Sequence, residues 1–269
     1  MFNSGQPLFS IITVCYNSGR TIERTIKSVL QQSFQDYEYI IVDGGSTDTT
    51  IDVVKKYESH FQGRMHWQSE PDNGIYDAFN KGIRLSTGKL LWIVNSDDFM
   101  EPDALENIWS FYKEREENVW PVTSFAMNVL LSNGEISHRS FYSKRTSMHY
   151  YRRDEMGIVH PATIVPRKIY DMVGLYDTDF KIAGDFFWFH CAVKKGIEIQ
   201  FQNCVITNFS CGGVSTTDSH YVHIMERKLF FSKKYPNKWE RVWHYARWRF
   251  LYFRIVHGWT FSNIVSKMK

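Results

Sequence analysis

The sequence lacks most of the devices that mark specialised chains. Its four cysteines, Cys15, Cys191, Cys204 and Cys211, form no Cys-x-x-Cys pair. Neither a zinc knuckle nor a redox dithiol is encoded, and free thiols in a reducing compartment are expected. No stretch reaches the roughly 18 consecutive apolar residues of a membrane span. The opening MFNSGQPLFS has neither the basic start nor the apolar run of a signal peptide, so the protein is expected to stay in the cytoplasm where it is made. Only 16 glycines and 7 prolines occur in 269 residues, which excludes collagen-like repetition and a proline-rich disordered chain. There is no Gly-x-x-x-x-Gly-Lys-Ser/Thr loop, and the segment Cys15 to Gly19 lacks Gly-x-Gly-x-x-Gly. A P-loop nucleotidase and a dinucleotide dehydrogenase are disfavoured accordingly.

What is present is apolar and aromatic material, 43% and 16% of the chain, enough for a substantial core without staples. Over the first hundred residues it alternates between two periods. Phe9 to Val14, Tyr37 to Val42, Met65 to Gln68 and Leu90 to Val94 are short apolar runs that predict buried strands. Between them Ile22, Ile26, Val29 and Leu30, then residues 49 to 60, then Ile75, Phe79 and Ile83 predict helices. Ser46 or Thr47 is the expected N-cap of the second. Such alternation implies right-handed crossovers and a mostly parallel sheet flanked by helices, an α/β fold. Residues 119–127 and 135–140 predict an antiparallel pair around Asn133-Gly134. A helix over 183–195 and a strand over 197–208 complete the body. One catalytic domain over 1–219 is expected, with halves of about 8–100 and 101–219, followed by a helical extension over 220–269.

Three of these strands end in acid: Asp43, then Glu70 and Asp72, then Asp97 and Asp98. The carboxyl ends of parallel strands converge on the crevice where open α/β sheets bind ligands. Five carboxylates in one crevice repel each other unless donors or a cation intervene. Mg²⁺ or Mn²⁺ is the economical answer, because each takes one or two carboxylates together with phosphate oxygens. A helix cap is the simpler reading for Asp48 and Asp103.

Taken together, Ser10 to Asn17 (SIITVCYN), Ile41 to Asp48 (IVDGGSTD), Ser69 to Gly74 (SEPDNG) and Asn95 to Asp98 (NSDD) resemble the ordered signature of family 2 glycosyltransferases. The resemblance spans residues 8–215. It implies a GT-A-type, Rossmann-like nucleotide-sugar fold with a small antiparallel part. The implied activity is inverting hexosyl transfer from a nucleotide-diphosphate sugar to a glycan or lipid-linked acceptor, as in bacterial cell-surface glycan synthesis. By the same resemblance Thr13, Tyr16 and Asn17 lie along the nucleoside and Asp43 receives the base, read as uracil. Asp72 borders the ribose and diphosphate. Asp97, with Asp98 beside it, holds the metal. The family's Asp-any-Asp motif has its first position filled here by Asn95, which removes one charge and leaves a ribose or metal-shell contact there open. Asp185 is the surviving carboxylate of the second acidic motif and the expected catalytic base, with a helix cap as its simpler alternative. His160, Trp188 and Ser215 are the candidate acceptor or phosphate contacts, and each has an ordinary packing or turn role as its alternative.

Charge is distributed unevenly. From His220 to Lys269 there are 11 Lys/Arg against 2 acids, a net +9, which leaves −6 for residues 1–219 out of the overall +3. The same segment holds 13 aromatic residues. Cations interleaved with Trp and Phe fit an in-plane helix on an anionic membrane surface, which would place the protein peripherally on the inner face of the cytoplasmic membrane. A homo-oligomer interface, or packing on the catalytic body, is the alternative, and nucleic acid is not the expected partner. Two other readings compete for the whole chain: a sugar-phosphate nucleotidyltransferase, disfavoured by the missing Gly-rich triphosphate loop, and a non-catalytic membrane-surface module.

Overall fold

The computed structural model describes residues 5–152, 157–211 and 220–256. The chain divides into two compact units, Met1–Thr217 and Asp218–Lys269. In the first unit β1 (Phe9–Cys15), α1 (Ile22–Leu30), β2 (Tyr37–Asp43), α2 (Thr50–Glu58), β3 (Met65–Ser69), α3 (Ile75–Leu85) and β4 (Leu90–Ile93) follow the alternation read from the sequence. β1, β2 and β4 are buried at every position, as strands covered on both faces must be. Ile22, Ile26 and Val29 of α1 are wholly buried, so the helical stripe faces the sheet. The N-cap of α2 is Thr49, with no side-chain cap bond, rather than Ser46 or Thr47. Asp48 serves that end instead, its Oδ1 accepting from Thr50 N at 3.0 Å.

Then come β5 (Phe99–Met100), α4 (Ala104–Tyr112), β6 (Val122–Leu130), β7 (Ile136–Ser140), α5 (Lys144–Arg152), β8 (Thr163–Pro166), α6 (Arg167–Val173), α7 (Gly184–Lys194) and β9 (Ile199–Ser210). The sheet runs β3-β2-β1-β4-β8-β6-β9-β5, with β7 paired to β6. The β3-β2-β1-β4 half is parallel, and β8 joins β4 antiparallel. β6 and β7 pair antiparallel around Asn133-Gly134 as expected, Met127 opposite Ser140. Strand order reverses between β1 and β4, which makes their carboxyl ends the topological switch point where a ligand is expected.

One close approach fixes how β4 enters the sheet. A Cβ built on Gly88 lies 2.7 Å from both Phe9 C and Ser10 N, backbone atoms that cannot step aside. Gly88 N meanwhile donates to Ser10 Oγ at 2.8 Å and to the buried Glu38 Oε1 at 3.0 Å. Gly88→Ala is therefore expected to destabilise the fold by about 1–3 kcal/mol, read as a lower urea midpoint at unchanged slope; an unshifted midpoint would contradict this packing.

The second unit contains α8 (His220–Lys234) and α9 (Lys238–Val256). Among the described residues no helix is long and apolar enough to cross a membrane. All four cysteines are free. Burial, and then the adjacent Asp43, push the Cys15 thiol far above its ordinary range, so it is inert as a nucleophile.

Candidate active site

Four loops leave the carboxyl ends of β1 to β4, and hydrogen bonds between them build one rim. Asn17, held at φ +50°, accepts from Thr47 N at 2.9 Å through Oδ1, while its own N–H donates to Ser46 Oγ at 2.7 Å. Gly19 N donates to Asp48 Oδ2 at 2.9 Å. The hydroxyls of Ser18 and Ser96 meet at 2.8 Å. Arg24 of α1 donates through Nη2 to the Asp97 carbonyl at 2.7 Å and to Ser210 Oγ at 2.8 Å, with its guanidinium 4.4 Å from the centroid of the Phe99 ring. The first, second and fourth loops are thus tied to one another without a ligand.

The five strand-end acids do not form the crowded crevice expected of them. Asp43 has no exposed surface. Its Oδ2 accepts from Gly45 N, Ser46 N and Ser69 Oγ at 3.1, 2.9 and 2.6 Å, and its Oδ1 from the Ser46 hydroxyl and, at 3.5 Å, the Cys15 thiol. Burial pushes this carboxyl up, but the Ser46 and Ser69 donors outweigh it and hold the group below its ordinary range. With about four lone-pair sites engaged within the chain, Asp43 braces the turn after β2. Glu70 is held by Lys81 at 3.0 Å. Asp98 is also wholly buried and points inward, Oδ1 accepting from Ser210 N at 2.9 Å and Oδ2 from Asn95 Nδ2 at 3.4 Å. Burial, and then neighbouring Asp97, push it up to about 8 against those two bonds. It ties β9 to the β4 loop, and this corrects its expected place as a metal ligand.

Asp72 and Asp97 are what remains. Asp72 is half-buried, its Oδ1 accepting from Gly74 N at 2.8 Å. Its Oδ2 fills the space a side chain at 44 would occupy, 2.6 Å from a Cβ built on Gly44, with the Tyr16 ring 3.5 Å from the same point. Tyr16 is 64% exposed. An open ring and a carboxylate oxygen therefore share the rim above Gly44. Asp97 is half-buried, and no hydrogen-bond donor from another residue is recorded on its carboxylate among the described residues. Burial raises its carboxyl above the ordinary range, with Arg24 pulling the other way. Asn95 Oδ1, two residues earlier in the same loop, is buried and unpartnered.

No group of three or more His, Cys, Asp and Glu side chains able to hold a metal occurs among the described residues. An underused carboxylate and an orphaned amide oxygen two residues apart in one loop nevertheless supply the oxygen ligands a hard divalent ion takes, since such an ion needs few from the protein and completes its shell with phosphate and water. Thr13 is corrected by its burial: its side chain has no exposed surface and accepts from Tyr39 Oη at 3.1 Å, beneath the rim.

Asp185 occupies the first turn of α7. It is half-buried, and its Oδ1 accepts from Tyr76 Oη at 3.0 Å and from Phe186 N at 2.8 Å. No described residue donates to Oδ2. Tyr76 reaches it because residue 184 is glycine: a Cβ there would lie 2.8 Å from the Tyr76 ring. Burial and then Asp185 drive the Tyr76 phenol far above its ordinary range, which keeps it a donor. Tyr76, Arg24 and Ser210 were missed in the sequence reading. The one available signal was glycine directly before Asp185, a mark of close approach.

Trp188 is 4% exposed, donates through Nε1 to Gly174 O at 2.8 Å and packs against Tyr170 and Tyr176. It is core, with no face for a sugar. His160 stacks on Phe79 at 5.7 Å, with Nε2 3.2 Å from Tyr176 Oη. Ser215, with Gly212 to Val214 before it, lies outside the described residues.

Burial holds the His160 imidazole below its ordinary value, partly opposed by the Asp185 charge. A lowered folded pKa gives stability that is complete above the unfolded value of about 6.5 and is lost as pH falls toward the folded one. Denaturant melts between about pH 7.5 and 5 should therefore show falling stability that His160→Gln flattens; equal slopes for both proteins would remove His160 from the account.

Residues 10–174 match the family model described as Glycosyl transferase family 2. The chain is 30% identical over 272 residues to an uncharacterised glycosyltransferase of Mycobacterium tuberculosis (strain CDC 1551 / Oshkosh), covering 97% of this chain and 98% of that one. It is 26% identical over 214 residues to a PGL/p-HBAD biosynthesis glycosyltransferase of Mycobacterium bovis (strain BCG / Pasteur 1173P2), covering 78% and 80%. Among solved structures it superposes on S. aureus TarS residues 1–349 in complex with UDP-GlcNAc, with TM-score 0.66, 19% identity and coverage of 83% and 65%. It spans only 39% of a longer TarS structure. The Pyrobaculum calidifontis mannosyltransferase PcManGT, in complex with GDP-Man and Mn²⁺, gives TM-score 0.62 at 18% identity, covering 87% and 66%. The α/β sheet with its switch point between β1 and β4 is a GT-A fold, and the chain belongs to glycosyltransferase family 2.

Proposed function

We propose that this enzyme moves a sugar from a UDP-sugar to a hydroxyl of a glycan or lipid-linked acceptor, with inversion and with Mn²⁺ or Mg²⁺, in the cytoplasm. The observation that carries the reading is that two half-buried carboxylates keep an oxygen no described residue donates to: Asp97, two residues after the orphaned Asn95 oxygen in the β4 loop, and Asp185, oriented by Tyr76. Support for the donor comes from the family, from UDP-GlcNAc in the TarS complex and from the exposed Tyr16 ring beside Asp72. Mn²⁺ in the PcManGT complex is consistent with metal use.

In this reading Tyr16 lies against the nucleoside, and Asp72, with the Gly74 turn, borders the ribose and diphosphate. Asp97 and Asn95 would hold the cation, which when bound neutralises charge on the leaving diphosphate as a Lewis acid. Asp185 Oδ2 takes the proton of the acceptor hydroxyl as its oxygen bonds to the anomeric carbon and the carbon–diphosphate bond breaks on the opposite face. Tyr76 and Phe186 N, both on Oδ1, fix the carboxylate so that Oδ2 faces the acceptor.

Thermal shift with UDP, GDP and CTP, each with Mn²⁺ or with EDTA, tests it. A ligand that binds only the native state raises its apparent stability, so UDP with Mn²⁺ should raise the melting temperature most and EDTA should remove the rise. No response to any of the three would sink the proposal.

A further inference from the structure

The basic aromatic extension is divided by its geometry into two sets of residues. On α9, His244, Tyr245 and Trp248 turn toward α8. His244 stacks on Tyr235 at 4.0 Å and 13°, Tyr245 meets Phe231 edge-on at 6.2 Å, and Arg227 lies 5.7 Å from the centroid of the Trp248 ring. Those aromatics are spent on holding the helix pair together. The opposite face is exposed. At 3.6 residues per turn Trp239, Val242 and Trp243 fall within a stripe about 100° wide, and they are 77%, 51% and 59% exposed. Phe250, also exposed, falls on the same line. Arg247 and Arg249, both exposed, flank it at about 80° to either side by the same helical count.

We propose that this face of α9 lies in the plane of an anionic membrane surface, with Trp239, Val242 and Trp243 inserted among the headgroups and Arg247 and Arg249 on lipid phosphates. A helix lying in an interface needs an apolar stripe bordered by cations, and here the stripe and both borders are present. Tryptophan suits that depth because its ring is apolar and its N–H can stay hydrated. Arginine stems cover apolar surface while their heads reach phosphate. Charge decides between a membrane and a second copy of this chain: residues 220–269 carry net +9, so two copies meeting here would repel, while an anionic leaflet attracts them.

Flotation of the full-length protein with vesicles of phosphatidylcholine containing about 30% phosphatidylglycerol tests this. Wild type should float with these vesicles and not with pure phosphatidylcholine, and its tryptophan emission should shift to the blue. The double variant Trp239→Ser, Trp243→Ser should bind at least about tenfold more weakly, since each loses an inserted ring. Arg247→Gln with Arg249→Gln should weaken binding and flatten its salt dependence. The serine variant changes only exposed side chains, and an unaltered circular dichroism spectrum would establish that it is folded. Binding equal to wild type by the serine variant would overturn the proposal. So would a wild type that ignores vesicles but sediments as a dimer which the serine variant dissolves. The response to UDP and Mn²⁺ should be the same in wild type and variant, so failure here leaves the transferase reading standing.

Discussion

Asp185→Asn should lower the rate of sugar transfer by about 10²- to 10⁴-fold, the range a positioned general base contributes. The amide keeps the shape of the carboxyl, and Tyr76 Oη can still donate to its oxygen as it does to Asp185 Oδ1 at 3.0 Å. Only the basic oxygen that takes the acceptor proton is lost. The thermal response to UDP and Mn²⁺ should be unchanged, because Asp185 belongs to α7 and not to the loops that follow β1 and β4. Full turnover in this variant would remove Asp185 as the base. A loss of nucleotide response equal to the loss of rate would make it a folding residue, a cap of α7 and nothing more.

Asp97→Ala should weaken Mn²⁺-dependent UDP binding at least about 100-fold, beyond what loss of a supporting partner typically costs at a metal site. The loop itself should survive. Its shape is held through the Asp97 main chain, whose carbonyl accepts from Arg24 Nη2 at 2.7 Å and Ser210 Oγ at 2.7 Å, and neither bond uses the side chain. Asp98→Ala, one residue along, should behave in the opposite way. It strips Ser210 N of its acceptor in a part-buried setting, at about 1–3 kcal/mol of stability, with a smaller effect on metal affinity. Calorimetric titration of UDP with Mn²⁺ beside a urea melt for each variant separates the two. If both lose metal response equally, the inward position of Asp98 does not describe the working enzyme.

The contrast between these adjacent acids shows where sequence reasoning ran out. Two periods, β-branched runs against helical stripes, were enough for β1 to β4 and α1 to α3, because each element buries its own pattern against one sheet. Elements without such a pattern escaped, and so did α4, although its buried Leu105, Ile108 and Tyr112 recur at helical spacing. Among the α5 residues only Ser147 is buried, so there was no apolar stripe to find, and β8 is four residues ending in Pro166. At the site, motif order located the strand ends and so placed Tyr16, Asp72 and Asp97 in the loops that follow them. It did not say which way each side chain turns. Thr13 sits on a strand buried on both faces, where alternation carries no label for the ligand side. Asp43 and Asp98 are acids at strand ends in every respect that a sequence displays. What separates them from Asp97 is donors supplied by Ser69 and Ser210, which lie 26 and 112 positions away. Trp188 was equally ambiguous until Gly174 supplied an acceptor for its indole.

The bracing of the rim has a thermodynamic consequence. Ser18 to Ser96, Asn17 to Thr47, Gly19 to Asp48 and Arg24 to the Asp97 carbonyl are closed before any donor arrives. Freezing a mobile side chain on binding costs about 0.5–1.5 kcal/mol, and along this edge that penalty has already been met by folding. The nucleotide has little left to order there beyond the exposed ring of Tyr16, so its affinity should follow the contacts it makes and not the rigidity it must impose.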